Sequence, residues 1–283
     1  MNLLSQPRLD RLSALLSRFK LSVEVDFAGS MSLNRAVAGL IGQGGFHILR
    51  QGTIQLDRHP PITAPALILM PRQDAHRLRV AAGATAQLIS GSLDFGPSDI
   101  NPIIAALPNP AIIPMDHNLE ATLLLLEQEA VAPRCGAQAI LDRICEILLI
   151  QALRHLIASQ SVQAGVLAAL ADERLARALA AIHTDPAAPW TLASLADLAG
   201  MSRTAFALTF HRRSGRTVGE YLAWWRTSLA KQLLEQGNSL KRVAGEVGYE
   251  STNALAQQMR RILGVGPREI LRRQKLTPPP RAK

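Results

Sequence analysis

Leu192-Ala-Ser-Leu-Ala-Asp-Leu-Ala199, then Gly200-Met-Ser202, then Arg203 to Arg213, make one pattern: an amphipathic helix, a glycine-centred turn and a second helix opened by serine. The pattern returns as Leu240-Lys-Arg-Val-Ala-Gly-Glu-Val247, Gly248-Tyr-Glu-Ser251 and Thr252 to Leu263. A helix-turn-helix needs a tight turn between two helices that pack at a steep angle. Gly200 and Gly248 stand where each first helix must end in a left-handed residue. Ser202 and Ser251 stand as N-caps, each side chain accepting a bond from an otherwise unpaired N–H of the next helix. One helix-glycine-helix run carries little information, because such runs are common. Two in a fixed tandem carry much more.

Between the copies lies a third helical run, from Val218 to Gln236. Thr217-Val-Gly-Glu220 is a capping box that starts it. Leu222, Trp225, Leu229 and Leu233 fall at helical spacing, and Gly237 with Asn238 ends the run. At 1.5 Å per residue this rod is about 29 Å long. Major-groove faces on one side of DNA repeat at about 34 Å. The rod therefore suits two recognition helices set in adjacent major grooves, so that one monomer reads two half-sites.

The segment Trp190 to Arg273 resembles the DNA-binding domain of the AraC/XylS family of bacterial transcription regulators. The resemblance rests on Leu195-Ala196, Met201-Ser202, Phe206, Phe210, Gly215, Tyr221-Leu222, Arg226, Ala230, Leu233-Leu234, Val243-Ala244, Val247-Gly248-Tyr249 and Gly264-Val-Gly-Pro267. It implies a sequence-specific regulator with no enzymatic role.

Charge supports the same division of labour. Of the 283 residues, Pro186 to Lys283 hold 16 Lys and Arg against 6 Asp and Glu, a balance of +10, within a chain total of +9. All the excess positive charge thus lies in the tandem segment and its tail, the footprint of a nucleic-acid-binding domain joined to a neutral partner. The length suits two domains. Cys135 and Cys145, ten apart, build no metal spacing and no disulfide framework, and read as reduced thiols. Redox sensing is the sharper alternative, but Cys145 lies in an apolar helical run, where thiols are usually inert. No basic-then-apolar leader and no apolar run of membrane-span length is present, so a cytoplasmic protein with no membrane contact is expected.

The N-terminal half changes texture. Leu9, Leu12, Leu15, Leu16 and Phe19 share one helical face, which predicts a short amphipathic helix docked on the domain that follows. From Leu21 to about Leu93 the chain becomes short runs bounded by Gly and Pro. Ser22-Val-Glu-Val-Asp-Phe27 and Thr53-Ile-Gln-Leu56 alternate with period two, while Phe46 to Leu49, Ala66 to Met70 and Ala86 to Ile89 are apolar runs of strand length. This predicts an all-β barrel or sandwich. Gly44-Gly-Phe-His-Ile-Leu-Arg-Gln-Gly52 and Leu67-Ile-Leu-Met-Pro-Arg-Gln-Asp-Ala-His-Arg-Leu78 together resemble the cupin-like sensor often found ahead of an AraC-type reader. The resemblance implies that His47 and His76 face the mouth of a small jelly-roll barrel, with Arg50 and Arg72 beside them as effector-binding candidates. Metal-binding cupins use His-x-His, a following Glu and a later His; each segment here has one His, so no metal and no cofactor is expected, and two histidines hydrogen-bonded inside a small pocket is the preferred reading. Ala64-Pro-Ala66 also replaces the Gly-Asp usual in the intervening turn.

Prolines at 97, 102, 108, 110 and 114 predict an extended strap, with Ile103 to Leu107 as at most one helical turn. Helices are expected over Asn118 to Ala130 and Gly136 to Ile157. The apolar surface of the second is wider than one stripe, which favours a homodimer through residues 136–158 over burial against the barrel alone. Ser159 to Gly165 reads as a linker, and Leu175 to Ile182 as the first helix of the reader.

The expected fold is α+β. A cupin-like β-barrel with flanking helices (residues 1–160, sensor and dimerisation) precedes an all-α domain with two helix-turn-helix motifs (residues 171–275). On the first recognition helix Phe206 and Phe210 fall on the family's core positions, which turns Thr204, Ala207, Leu208 and His211 outward. On the second, Leu255 and Met259 are core, which leaves Ser251, Thr252, Asn253, Ala256, Gln257 and Arg260. Asn253 and Gln257 suit bidentate pairing with adenine, and Thr204 or Thr252 contact with a thymine methyl. Arg203, Arg212, Arg213, Arg242, Arg260 and Arg261 suit phosphates, which give register without sequence. Related readers often carry Arg at the positions of Leu208 and Gln257, so the first helix should discriminate less than the second. The expected partners are double-stranded DNA, an unknown small effector, a second subunit and, as a candidate, RNA polymerase. Two rivals remain: a metal-dependent cupin enzyme fused to a DNA-binding domain, and an architectural protein that binds DNA without sequence choice.

Overall fold

Two compact units divide the chain: one runs from Phe19 to Gln163, and the other joins the N-terminal segment, up to Arg18, to the chain from Ala164 onward. They are seen in a computed structural model that describes residues 10–18, 22–32, 44–57, 59–72, 76–94, 101–115, 117–159 and 162–276. The tail from Thr277 and residues 96–100 of the strap lie outside the described residues.

The first element, α1 (Ser13–Arg18), corrects an expectation. It packs against the reader unit instead of the sheet that follows it. Leu12 and Leu15 are buried, Arg11 donates to the Leu170 carbonyl at 3.1 Å, and its guanidinium meets the Glu173 carboxylate at 2.8 Å. Amphipathic spacing says that a face will be covered; it is silent on what covers it. Leu9 and Phe19, the expected ends of the helix, lie outside the described residues.

The described residues of the Phe19–Gln163 unit form eight strands. They are β1 (Ser22–Ser32), β2 (Gly44–Gln51), β3 (Thr53–Leu56), β4 (Ile62–Thr63), β5 (Ala66–Met70), β6 (Leu78–Val80), β7 (Thr85–Asp94) and β8 (Ala111–Pro114). Five pair antiparallel in the order β1-β7-β2-β5-β8, and three in the order β4-β3-β6. Ile54, Leu56, Leu78 and Val80 from the small sheet share one core with Leu49, Ile68, Met70 and Leu88 from the large one. The described strands form a two-sheet sandwich and do not close into a barrel. Alternation explains the small sheet: in Thr53–Leu56, Ile54 and Leu56 are buried and their neighbours exposed. β5 is buried on both faces, which explains its unbroken apolar run. Gly91 is dictated by packing, since a Cβ there would run into the Glu24 carbonyl and the Phe46 ring.

The second face of β2 and β5 is covered by helices. After the short α2 (Pro102–Ala106), N-capped by Asn101, come α3 (His117–Val131) and α4 (Ala137–Ala158). Cys145, Leu148 and Leu149 of α4 meet Phe46, Ile48, Leu67 and Leu69. Each fully buried leucine of this kind stabilises the fold by about 1.5–3 kcal/mol. Burial pushes the Cys145 thiol up to about 12, with Asp142 adding to the shift, which leaves it an inert core thiol. Most of the wide apolar surface of α4 is thus consumed inside the unit by the sheet and α3; Ile140 and Ile147 alone of its large apolar side chains are strongly exposed.

The reader unit is helical throughout its described length. It begins earlier than the sequence suggested, with α5 (Val166–Ala171) directly after the expected linker, followed by α6 (Glu173–Thr184). The tandem follows as α7 (Leu192–Ala199), α8 (Arg203–Ser214), α9 (Val218–Glu235), α10 (Leu240–Glu246), α11 (Thr252–Leu263) and α12 (Pro267–Leu276).

Candidate functional site

Each helix of the tandem is set by its caps. Thr191 and Ser194 form a capping box on α7, and Thr217 and Glu220 form another on α9. The Glu220 carboxyl is held below its ordinary range by hydrogen bonds from the backbone and side chain of Thr217. Gly200 (φ 63°) and Gly248 (φ 80°) take the left-handed conformation at the two turns. The Ser202 hydroxyl accepts the Ala205 N–H at 3.3 Å, and the Ser251 hydroxyl accepts the Ala254 N–H at 3.1 Å. Gly215 and Gly264 then close α8 and α11 in the same left-handed way.

From its serine cap, each recognition helix repeats the other position by position. Phe206 and Phe210 in α8 correspond to Leu255 and Met259 in α11, and all four are fully buried. Thr204, Leu208 and His211 form an exposed stripe on α8, flanked by Arg203 and Arg212, with Ala207 half-buried. Asn253, Gln257 and Arg260 form the equivalent stripe on α11, flanked by Ser251 and Arg261, with Thr252 and Ala256 half-buried. Leu208 is 68% exposed, an apolar side chain held in solvent with no packing reason inside the unit. Two expected phosphate contacts are less available: Arg242 pairs with Glu246 at 3.7 Å, and the Nε of Arg213 is buried.

The helix α9 joins the two copies, and at 18 residues it is about 27 Å long. Its N-terminal half enters an aromatic core. Tyr221 meets Phe210 edge-on with centroids 5.4 Å apart, its hydroxyl lies 2.7 Å from His183 Nε2, and His183 stacks 4.2 Å from Trp225. Full burial drives His183 down to about 3, so it is neutral. The C-terminal half enters an aliphatic core of Leu229, Ala230 and Leu234 with Val243, Val247, Leu255 and Met259.

Arg226 fastens the halves, a role that sequence spacing did not assign to it. Its guanidinium donates to the Pro186 carbonyl at 2.7 Å, the Ala188 carbonyl at 2.9 Å and the Gly248 carbonyl at 3.2 Å. The loop ahead of the first copy and the turn of the second are thereby held on one side chain. Two helix-turn-helix motifs on one rod define a DNA-binding protein with two recognition helices.

In the sensor unit, β2 carries His47 and the residues before β6 carry His76. Their Nε2 atoms lie 2.6 Å apart, and His47 Nδ1 lies 2.9 Å from Ser90 Oγ. Both rings are buried. Burial first, and then the charge of His76, lowers His47 to about 3, so its ring is neutral. One imidazole therefore donates N–H to the other. His47 lies on the central strand of the five-stranded sheet, and His76 alone of the two lines an open cleft of about 940 Å³. Of the other effector candidates, Arg50 pairs with Glu127 of α3, and Arg72 is exposed and does not line that cleft. Arg77 and Arg79 do line it, and nothing in the sequence pattern singled them out. Among the described residues no group of three or more His, Cys, Asp or Glu converges to hold a metal. No helix among them is long and apolar enough to cross a membrane.

Comparison with known proteins agrees with this architecture. Residues 10–158 match the family described as Cupin, and residues 195–273 match a helix-turn-helix domain. A putative AraC-like transcription regulator of Streptomyces lividans is 33% identical over 235 residues, which span 80% of this chain and 77% of that protein. The HTH-type transcriptional regulator AlkR of Acinetobacter baylyi is 35% identical over 172 residues, 57% of this chain and 55% of its own. Among solved structures, the DNA-binding domain of AdpA in complex with a target DNA is 29% identical, with a TM-score of 0.35, and the match covers 36% of this chain and 92% of that one. The chain belongs to the AraC-like transcription regulators, with a cupin-like domain ahead of its helix-turn-helix reader.

Proposed function

We propose that this regulator is a homodimer that reads two successive major grooves with α8 and α11 and takes a small effector in its cupin-like unit. The observation that carries the DNA reading is the matched pair of outward stripes, each counted from its own serine cap and joined by a rod of fixed length. Asn253 and Gln257 give direct readout of adenine, and Thr204, Leu208 and Thr252 give contact with thymine methyls. Arg203, Arg212, Arg260 and Arg261 hold phosphates and set register. Affinity should therefore fall steeply with salt, and Arg212→Ala should weaken all sequences alike while reducing the salt slope by about one unit. A titration of full-length protein at several salt concentrations measures this. A flat salt dependence would remove the phosphate assignments.

The regulator reading is favoured over a fused enzyme because the relatives that match across both units are transcription regulators. We assign no catalytic residue, and we place the protein in the cytoplasm, where its DNA is. The dimer reading rests on Ile140 and Ile147, which share a face of α4, and on exposed Leu124 and Leu125 of α3. Ile140→Asp with Ile147→Asp should convert the dimer to monomer in sedimentation equilibrium. A wild-type protein that sediments as a monomer would contradict it.

A further inference from the structure

The cleft at the edge of the sandwich has a chemistry of its own. Its cationic side is Arg77 and Arg79, which flank and lie within the edge strand β6, and His59 and the anchored ring of His76 also line it. The alternation that buries Leu78 and Val80 turns the two arginines outward. Guanidinium groups keep their charge at any physiological pH and offer forked donors to an anion. Among the described residues that line the cleft the one carboxylate is Asp57, and its Oδ1 already accepts the Arg77 backbone N–H at 3.0 Å. The apolar side chains that the lining leaves accessible are Pro60 and Pro110, with Leu56 and Met70 buried in the core behind them. His76 is not free to swing, because its Nε2 faces His47, which Ser90 holds in turn.

We propose that this cleft binds a small organic anion, with its carboxylate on Arg77 and Arg79 and its apolar body against Pro60 and Pro110. This rests on the effector reading above and gives that effector its chemical class. An apolar wall with a few converging polar groups is the usual composition of a small-molecule site. The positive wall selects charge, and the apolar wall separates an organic acid from bare phosphate.

The test uses full-length protein and four probes: hexanoate and phenylacetate, their neutral primary amides as matched controls, and inorganic phosphate as a competitor. Calorimetric titration should show each acid binding at least about tenfold more tightly than its amide, the difference one charge-assisted contact supplies. Arg77→Gln with Arg79→Gln, both exposed, should abolish that preference with an unchanged circular dichroism spectrum. Phosphate should fail to displace hexanoate. Amides that bind as well as acids, a double variant that keeps the preference, displacement by phosphate, or no binding of either acid would each overturn the proposal. Operator affinity measured with and without the acid separates the two readings. An acid that binds through the arginines yet leaves operator affinity unchanged keeps the cleft assignment and removes its role as the effector site. A neutral amide that binds and shifts operator affinity does the reverse.

Discussion

The two helix-turn-helix copies share one ground plan and differ in what fills it. The turn glycines, the serine caps and the buried positions of the recognition helices correspond, yet the first copy is built on Phe206, Phe210, Tyr221 and Trp225 around a neutral His183, and the second on leucine, valine and methionine. The outward stripes differ as well: Leu208 stands where the second copy has Gln257. The repeat therefore fixes where a side chain points and leaves its chemistry open. Aromatic and aliphatic cores satisfy the same backbone because close packing depends on volume and shape. An exposed stripe has no such alternative, since a leucine offers a base only a methyl contact and a glutamine offers a donor and an acceptor.

The turns give the largest expected contrast. Both turn glycines are left-handed, but a Cβ on Gly248 would sit 2.7 Å from Ala187 Cα, whereas one on Gly200 meets nothing within 4 Å. Gly200→Ala should cost about 1–2 kcal/mol of backbone strain. Gly248→Ala adds overpacking worth about 1–3 kcal/mol and disturbs the carbonyl that Arg226 holds. Denaturant unfolding of the two variants measures the gap, and equal losses would mean that the loop at Ala187 yields freely.

Acid separates the copies more gently. In the unfolded chain a histidine titrates near pH 6.5, while buried His183 titrates near 3 in the folded reader. Below pH 6.5 the unfolded chain takes up a proton that the folded one refuses. Stability therefore falls as pH drops from 6.5 towards 3, by about 1.4 kcal/mol per unit. The aliphatic core has no histidine among its described members, so amide exchange at pH 5 against pH 7 should show α6 and α8 losing protection before α11. Uniform loss would show that the halves unfold as one.

Much of the reader was legible because its signals are local. Glycine at a left-handed turn, serine at an N-cap and a capping box each act within four residues, and Gly200, Ser202, Thr217, Gly248 and Ser251 all do what their positions imply. What escaped depends on contacts between distant segments. Arg226 reaches three carbonyls in two different loops. Hydrogen-bonded histidines are expected from the sequence, but that His47 and His76 bond to each other, at 2.6 Å, follows only from the antiparallel pairing of β2 and β5 and the return to β6. The breadth of the α4 apolar face suggested a partner, but the sheet and α3 cover most of it. Nothing local marks Arg77 and Arg79; that a cleft opens beside them follows only from where β6 ends the small sheet.

The central claim is that α11 supplies most of the base discrimination and α8 mainly fits its groove. Gln257→Ala and Leu208→Ala, titrated as full-length proteins against an operator library with every base pair changed in turn, test it most directly. A good bidentate pair is worth roughly 1–3 kcal/mol of discrimination. Gln257→Ala should therefore relax preference at one base pair of one half-site by about that amount. Leu208→Ala should lose less affinity and shift preference only at a thymine. If Leu208→Ala erases more specificity than Gln257→Ala, the assignment of reading to the second helix is wrong.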